Sequence, residues 1–204
     1  MSSQTWWYVA RSGGIVAWGL LAASVFWGLA LSSRFLGRRP KPNWMLDLHR
    51  YVGGLAVVFT AVHVIALIGD SYITFTVLGV LVPFVDDYEP AAVAWGIVAM
   101  YLLVAVEVSS LLRRRLGKRT WRALHYLSFP LFLAGTVHLL LIGTDRTTTP
   151  LRVGVLAGVA AVCVATLVRV IDVDSAPARP PRPGAPLPSS GTVRRGGVVP
   201  ERRT

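Results

Sequence analysis

Five long stretches of this chain carry no charge, and they constrain its fold more than any other feature. Residues 12–33 form an uncharged run of 22, residues 51–69 a run of 19, and residues 123–144 a run of 22. Residues 90–106 give 17, or 23 up to position 112 if Glu107 is tolerated. Residues 153–168 give 16, with Arg152 and Arg169 at the ends, where long side chains reach the headgroups. About 20 apolar residues in a helix cross a hydrocarbon layer of roughly 30 Å. Lipid offers the backbone no hydrogen-bond partner, so such crossings are helical. Five crossings follow. The first is too long for a signal peptide core, and no small-residue cleavage site precedes a soluble domain.

Composition agrees. The chain is 53% apolar and 15% charged, against about 25% charged in an average soluble domain. That excludes wholesale disorder, a collagen and a disulfide scaffold, and argues against a soluble globular enzyme. The single cysteine, Cys163, allows no internal disulfide and no cysteine-based zinc or iron–sulfur site. The net charge of +11 sits in short clusters between apolar runs, the pattern of membrane loops and not of a nucleic-acid surface. Among the 21 basic residues only Lys41 and Lys118 are lysine, a bias that hints at a GC-rich bacterial genome.

Residues 71–85 are a sixth apolar stretch of 15, interrupted by Gly79 and Pro83. It is short for a crossing and reads as a re-entrant or interfacial segment. Loop charge decides the count. Connection 34–50 holds five bases and one acid, and 113–122 holds six bases and no acid. Connection 70–89 holds four acids and no base. Five crossings put both basic connections on the cytoplasmic side, with the N-terminus outside and the C-terminus inside. Trp6, Trp7, Tyr72 and Tyr88 then suit the outer interface, and Trp44 and Trp121 the inner one. The expected organisation is an extracytoplasmic 1–11, a transmembrane domain 12–172 and a cytoplasmic tail 173–204. The last 30 residues hold seven Pro, four Gly and six Arg and are expected to be disordered.

All four histidines fall in the crossings. His49 and His63 are 14 apart on the second, and His125 and His138 are 13 apart on the fourth. Steps of that length rise about 20 Å along a helix, so each helix offers imidazoles at two matching depths. Both helices leave a basic cytoplasmic loop and run the same way. His49 therefore shares the inner level with His125, and His63 the outer level with His138. Two facing imidazoles suit a bis-axial haem; zinc would want three or four ligands per site. Gly53, Gly54 and Gly135 could thin the helices beside a macrocycle, or serve close helix packing. The phase is awkward. At about 100° per residue, His63 comes back to the face of His49, but His138 is about 140° from His125. Pro130 lies between them and is expected to correct the facing. If one pair proves merely structural, the phase makes the outer pair the suspect.

The segments LDLHRYVGGLAVVFTAVHVIAL and WRALHYLSFPLFLAGTVHLLLIGTD resemble the ferric reductase-like transmembrane domain. The resemblance covers about residues 11–172. That family includes the membrane parts of NADPH oxidases, the ferric reductases, and the haem subunit of the bacterial periplasmic methionine-sulfoxide reductase system. The resemblance implies two stacked b-type haems held by His49, His63, His125 and His138. Two features depart from it: relatives often have six crossings, and no Gly-rich nucleotide fingerprint follows the last apolar stretch. A flavin- and NADPH-binding domain is therefore expected on a partner.

Arg50 and Arg122 lie near the inner histidines and could pair with haem propionates or simply be inside-loop charge. Arg146 and Arg152 could serve the outer propionates. Glu107 reads as a partner of the Arg113–Arg115 cluster or as a proton relay. Each ligand histidine is expected to point its second ring nitrogen at a carbonyl one turn earlier.

The reading is an all-α membrane protein of the bacterial cell membrane, a five-span transmembrane helix bundle enclosing two haem b. It would act as a cytochrome b-type oxidoreductase subunit. It would pass electrons from a cytoplasmic flavoprotein or quinol to an extracytoplasmic acceptor: ferric chelate, oxygen, or a flavin- or molybdenum-containing partner reductase. Two other readings stay open. A haem sensor or haem-handling protein would need an exchangeable ligand position. A His-lined transporter or proton channel would purify without haem.

Overall fold

The computed structural model describes residues 3–33, 43–71, 75–142 and 148–174. The proline-rich tail, Tyr72 and Arg146 lie outside the described residues. Regular structure among them is entirely helical: α1 (Ser3–Ser32), α2 (Asn43–Gly69), α3 (Val77–Leu81), α4 (Pro90–Leu111), α5 (Lys118–His125), α6 (Ser128–Ile142) and α7 (Thr149–Asp174). Five helical stretches are long and apolar enough to cross a membrane: Gln4–Ser32, Asn43–Gly69, Pro90–Arg114, Lys118–Ile142 and Thr149–Ile171. The protein is a multi-pass membrane helix bundle.

The helices run further than the uncharged stretches. α1 begins at Ser3, because an interfacial turn tolerates Arg11, whose guanidinium stacks 4.7 Å over the Trp7 ring. α2 begins at Asn43, and its first two turns pair Arg50 with Asp47 at 3.3 Å. Absence of charge marks the part of a helix in hydrocarbon, whereas the helix itself continues into the headgroups. Residues 71–85 do not form a sixth crossing. Their described part holds only α3, five residues capped by the Thr76 hydroxyl, which accepts from the Gly79 amide at 2.9 Å.

α1 packs against α2, α6 and α7, and α4 packs chiefly against α6 and α5. The apolar cluster around α1 joins Ala22, Val25 and Leu29 to Phe132 of α6 and Val162 of α7. Trp18 completes it. Its ring stacks on Phe132 at 6.1 Å, and its Nε1–H donates to the Thr136 hydroxyl at 3.0 Å. Small residues are prominent among the most buried side chains: Ala56, Ala66, Ala92 and Ala134 stand beside Leu131 and Val155. Large ones such as Leu111, Leu156 and Val164 face outward, as expected where lipid replaces water.

The fourth crossing is broken where Pro130 requires it. α5 stops at His125 and α6 starts at Ser128, placing Pro130 in the first turn of α6. Between them the ladder tightens. Leu127 N–H donates to Leu124 O at 3.0 Å and Phe129 N–H to Tyr126 O at 3.2 Å, both three residues back. A residue in such a turn rotates about 120° instead of about 100°. That advances His138 towards the side of His125.

Candidate functional site: paired histidines at two levels

The structure brings the four histidines together as two pairs. The rings of His49 and His125 lie 6.1 Å apart, centre to centre, with planes at 79°. Those of His63 and His138 lie 6.3 Å apart at 75°. Two imidazoles bound to one metal by bonds of about 2 Å, each nitrogen about 1.2 Å from its ring centre, stand about 6.4 Å apart. Both separations match that figure. Among the described residues no cluster of three or more His, Cys, Asp or Glu can hold a metal ion. The donor set therefore suits an iron whose four other ligands come from a macrocycle.

Hydrogen bonds at the second ring nitrogen differ between the levels. His63 donates from Nδ1 to the Ala10 carbonyl of α1 at 2.6 Å, and His138 from Nδ1 to the Ala92 carbonyl of α4 at 2.8 Å. Both leave Nε2 as the unprotonated nitrogen, the tautomer of a metal-ligating histidine. The acceptors lie on neighbouring helices and not one turn back on the same helix. His49 Nδ1 faces the Ser24 hydroxyl at 3.4 Å. His125 Nδ1 is buried with no partner among the described residues.

A cavity of about 240 Å³ includes both His63 and His138 in its wall. Apolar side chains of α1, α2, α4 and α6 form the rest, among them Leu67, Ile97 and Leu131. Phe75, Val80 and Tyr88 of the acidic connection also line the cavity. Arg11 and Asp70 supply charge at the wall. The pair made doubtful by helical phase is thus the better enclosed and better hydrogen-bonded one, because the tightened turn before α6 and the acceptors on α1 and α4 are invisible to a count at 100° per residue.

Other expected residues fall differently. Arg50 is exposed and bound to Asp47, and Arg122 is exposed on α5. Arg152 is exposed at the start of α7. Glu107 does not pair with Arg113, Arg114 or Arg115. Its carboxyl lies against Gly53, where an added Cβ would come within 2.6 Å of Oε1. Gly54 faces open space, and Gly135 lies near Leu21 and Trp18, so neither makes room at a histidine. Trp121, expected at the inner interface, lies directly against a histidine. Its ring stacks on His125 at 5.2 Å and 22°, with Arg113 on it at 4.6 Å. The glycines that do touch the imidazoles are Gly14, Gly28 and Gly96, on helices that carry no histidine. Their one sequence signal is that Gly14 and Gly28 repeat the 14-residue step of His49 and His63.

An all-helical membrane bundle with two tiers of opposed imidazoles defines the class. The chain belongs to the family described as ferric reductase like transmembrane component, whose model matches residues 13–136. The match takes in His49, His63 and His125 and stops just short of His138. The chain is also similar to the protein-methionine-sulfoxide reductase heme-binding subunit MsrQ of Rhodospirillum rubrum. They are 28% identical over 152 residues, covering 70% of this chain and 71% of that one. No solved structure matches the chain.

Proposed function

We propose that the protein conducts electrons across the membrane through two b-type haems, one between His49 and His125 and one between His63 and His138. The observation that carries this reading is the pair of centre-to-centre separations, 6.1 and 6.3 Å, on the same two helical crossings. When bound, such a haem supplies a one-electron couple at a six-coordinate iron with no position open to a substrate. The chain's residues do the rest. The four imidazoles would hold the group, and the Ala10 and Ala92 carbonyls orient two of them by accepting from Nδ1–H. The largely apolar wall around His63 and His138 limits the polar surroundings that must rearrange when charge changes. Exposed Arg50 and Arg122 stand at the His49–His125 level, where propionates would meet them.

The family and the likeness to a named haem-binding reductase subunit support an electron-transfer subunit. The likeness to a reductase subunit supports a partner reductase as the acceptor, and we take the donor to be a cytoplasmic flavoprotein or quinol. Loop charge supports the orientation in which the basic connections 34–50 and 113–122 face the cytoplasm. A reporter fused after Thr204 is expected to read cytoplasm, and one placed in connection 70–89 to read outside. Both on one side would overturn the five-span topology.

Haem content is the direct test. A pyridine-haemochrome assay on detergent-purified protein is expected to approach two haems per chain, released by acidified solvent because no Cys-x-x-Cys-His attachment motif exists. Colourless protein would overturn the reading. A value near one would point to the His49–His125 pair as structural, since His125 lacks an Nδ1 partner.

A further inference from the structure

Three of the four imidazoles meet the same local pattern on a neighbouring helix. His63 Nδ1 donates to Ala10 O, and four residues on, a Cβ built at Gly14 would stand 3.0 Å from that Nδ1 and 3.1 Å from Cε1. His138 Nδ1 donates to Ala92 O, and four residues on, a Cβ at Gly96 would stand 2.7 Å from the same nitrogen. His49 Nδ1 faces Ser24 Oγ, and four residues on, a Cβ at Gly28 would stand 3.2 Å from its Cε1.

The spacing has a physical cause. Residues i and i+4 lie one turn apart on one face of a helix, and the carbonyl of i already accepts from the amide of i+4. A ring that reaches over to share the polar group at i lies across the α-carbon of i+4. Only a residue without Cβ leaves room there. Ala10 and Gly14 recur 14 residues later as Ser24 and Gly28, matching the step of the two histidines on antiparallel α2. His125 has no counterpart: its Nδ1 is unpartnered, and Trp121 lies along its ring.

We infer that Ala10/Gly14, Ser24/Gly28 and Ala92/Gly96 are positioning cradles. They set the ring plane of His63, His49 and His138, and through the carbonyls the tautomer of His63 and His138, from helices that supply no ligand. The near-perpendicular planes follow, because the two rings of each pair answer to different elements. His63 is aligned by α1 and His138 by α4; His49 is aligned by α1 and His125 by Trp121. The two carbonyl cradles hold the Nδ1–H form that leaves Nε2 for iron.

The inference rests on the two-haem reading, and electron paramagnetic resonance of the oxidised holoprotein tests it without any turnover. The low-spin ferric signal depends on the angle between axial imidazole planes, and near-perpendicular planes give a large maximal g value. The wild type is expected to show two such signals. Gly14→Ala and Gly96→Ala are each expected to shift only the His63–His138 signal, and Gly28→Ala only the other. Gly54→Ala, whose Cβ meets nothing within 4 Å, is expected to shift neither. Unchanged spectra in the cradle variants, or both signals moving together, would overturn the inference. Electron–nuclear double resonance of the wild type decides where an alanine variant fails to accumulate. Hydrogen-bonded Nδ1–H couplings from His63, His138 and more weakly His49, with a free one from His125, support it; four alike overturn it. If the wild type holds no haem, the proposed function fails separately. Nitrogen spectra of histidine-labelled protein then read the tautomers directly, and an Nε2–H form at His63 or His138 overturns the cradles.

Discussion

Replacing His138 by alanine is expected to remove about half of the bound haem and to abolish electron delivery to an acceptor that stays outside the membrane. The change deletes one of two opposed imidazoles and leaves the Ala92 carbonyl without the Nδ1–H it accepts at 2.8 Å. His63 remains, anchored to Ala10, but one imidazole in a cavity built for two holds the group weakly. The haem between His49 and His125 should still be reduced from the cytoplasmic side. His125→Ala is expected to do the reverse: reduction from that side fails, while dithionite still reduces the remaining haem. Haem content and reduced-minus-oxidised spectra of membranes check both. Intact transfer to an impermeant acceptor in His138→Ala would overturn the relay.

Trp18→Ala is expected to be the most destabilising single truncation outside the histidines. The indole joins three helices: it stacks on Phe132 of α6, donates to Thr136, and lies on Gly158 of α7, where a Cβ would come within 2.8 Å of the ring. Its loss opens a cavity at the junction of α1, α6 and α7, at a cost of about 3–5 kcal/mol. Thr136→Val keeps the shape and removes two hydrogen bonds, the one accepted from Trp18 and the one the hydroxyl donates to the Phe132 carbonyl at 2.7 Å, at a cost of about 1–2 kcal/mol. Unfolding in detergent, followed by loss of the haem absorbance, measures both. A Trp18→Ala effect no larger than that of Thr136→Val would show that the junction holds without the ring.

The number of crossings, the identity of the four histidines and their assignment to two levels were all legible in the chain. Each depends on a quantity that local sequence carries. Lipid excludes charge, so the uncharged runs mark the spans. Helix rise is constant, so 14 and 13 residues give matching depths. The ends of the helices were not legible in the same way, since α1 and α2 carry Arg11, Asp47 and Arg50 inside helical turns at the interface.

The facing of His138 was decided by tertiary structure. The sequence located the disturbance at Pro130, but the size of the rotation depends on which carbonyls the freed amides find. The surroundings of the imidazoles were decided there too. Gly53, Gly54 and Gly135 stand near histidines in sequence and do not touch them, whereas Gly14, Gly28 and Gly96 touch them from other helices. Glu107 meets Gly53 and not the arginines that follow it, because a side chain inside a bundle meets its neighbours across helices. What a residue is and how deep it lies follow from its own helix. What it touches follows from how helices of nearly uniform hydrophobicity pack, and in lipid that packing is settled by close contact between small residues, which a hydropathy pattern does not encode.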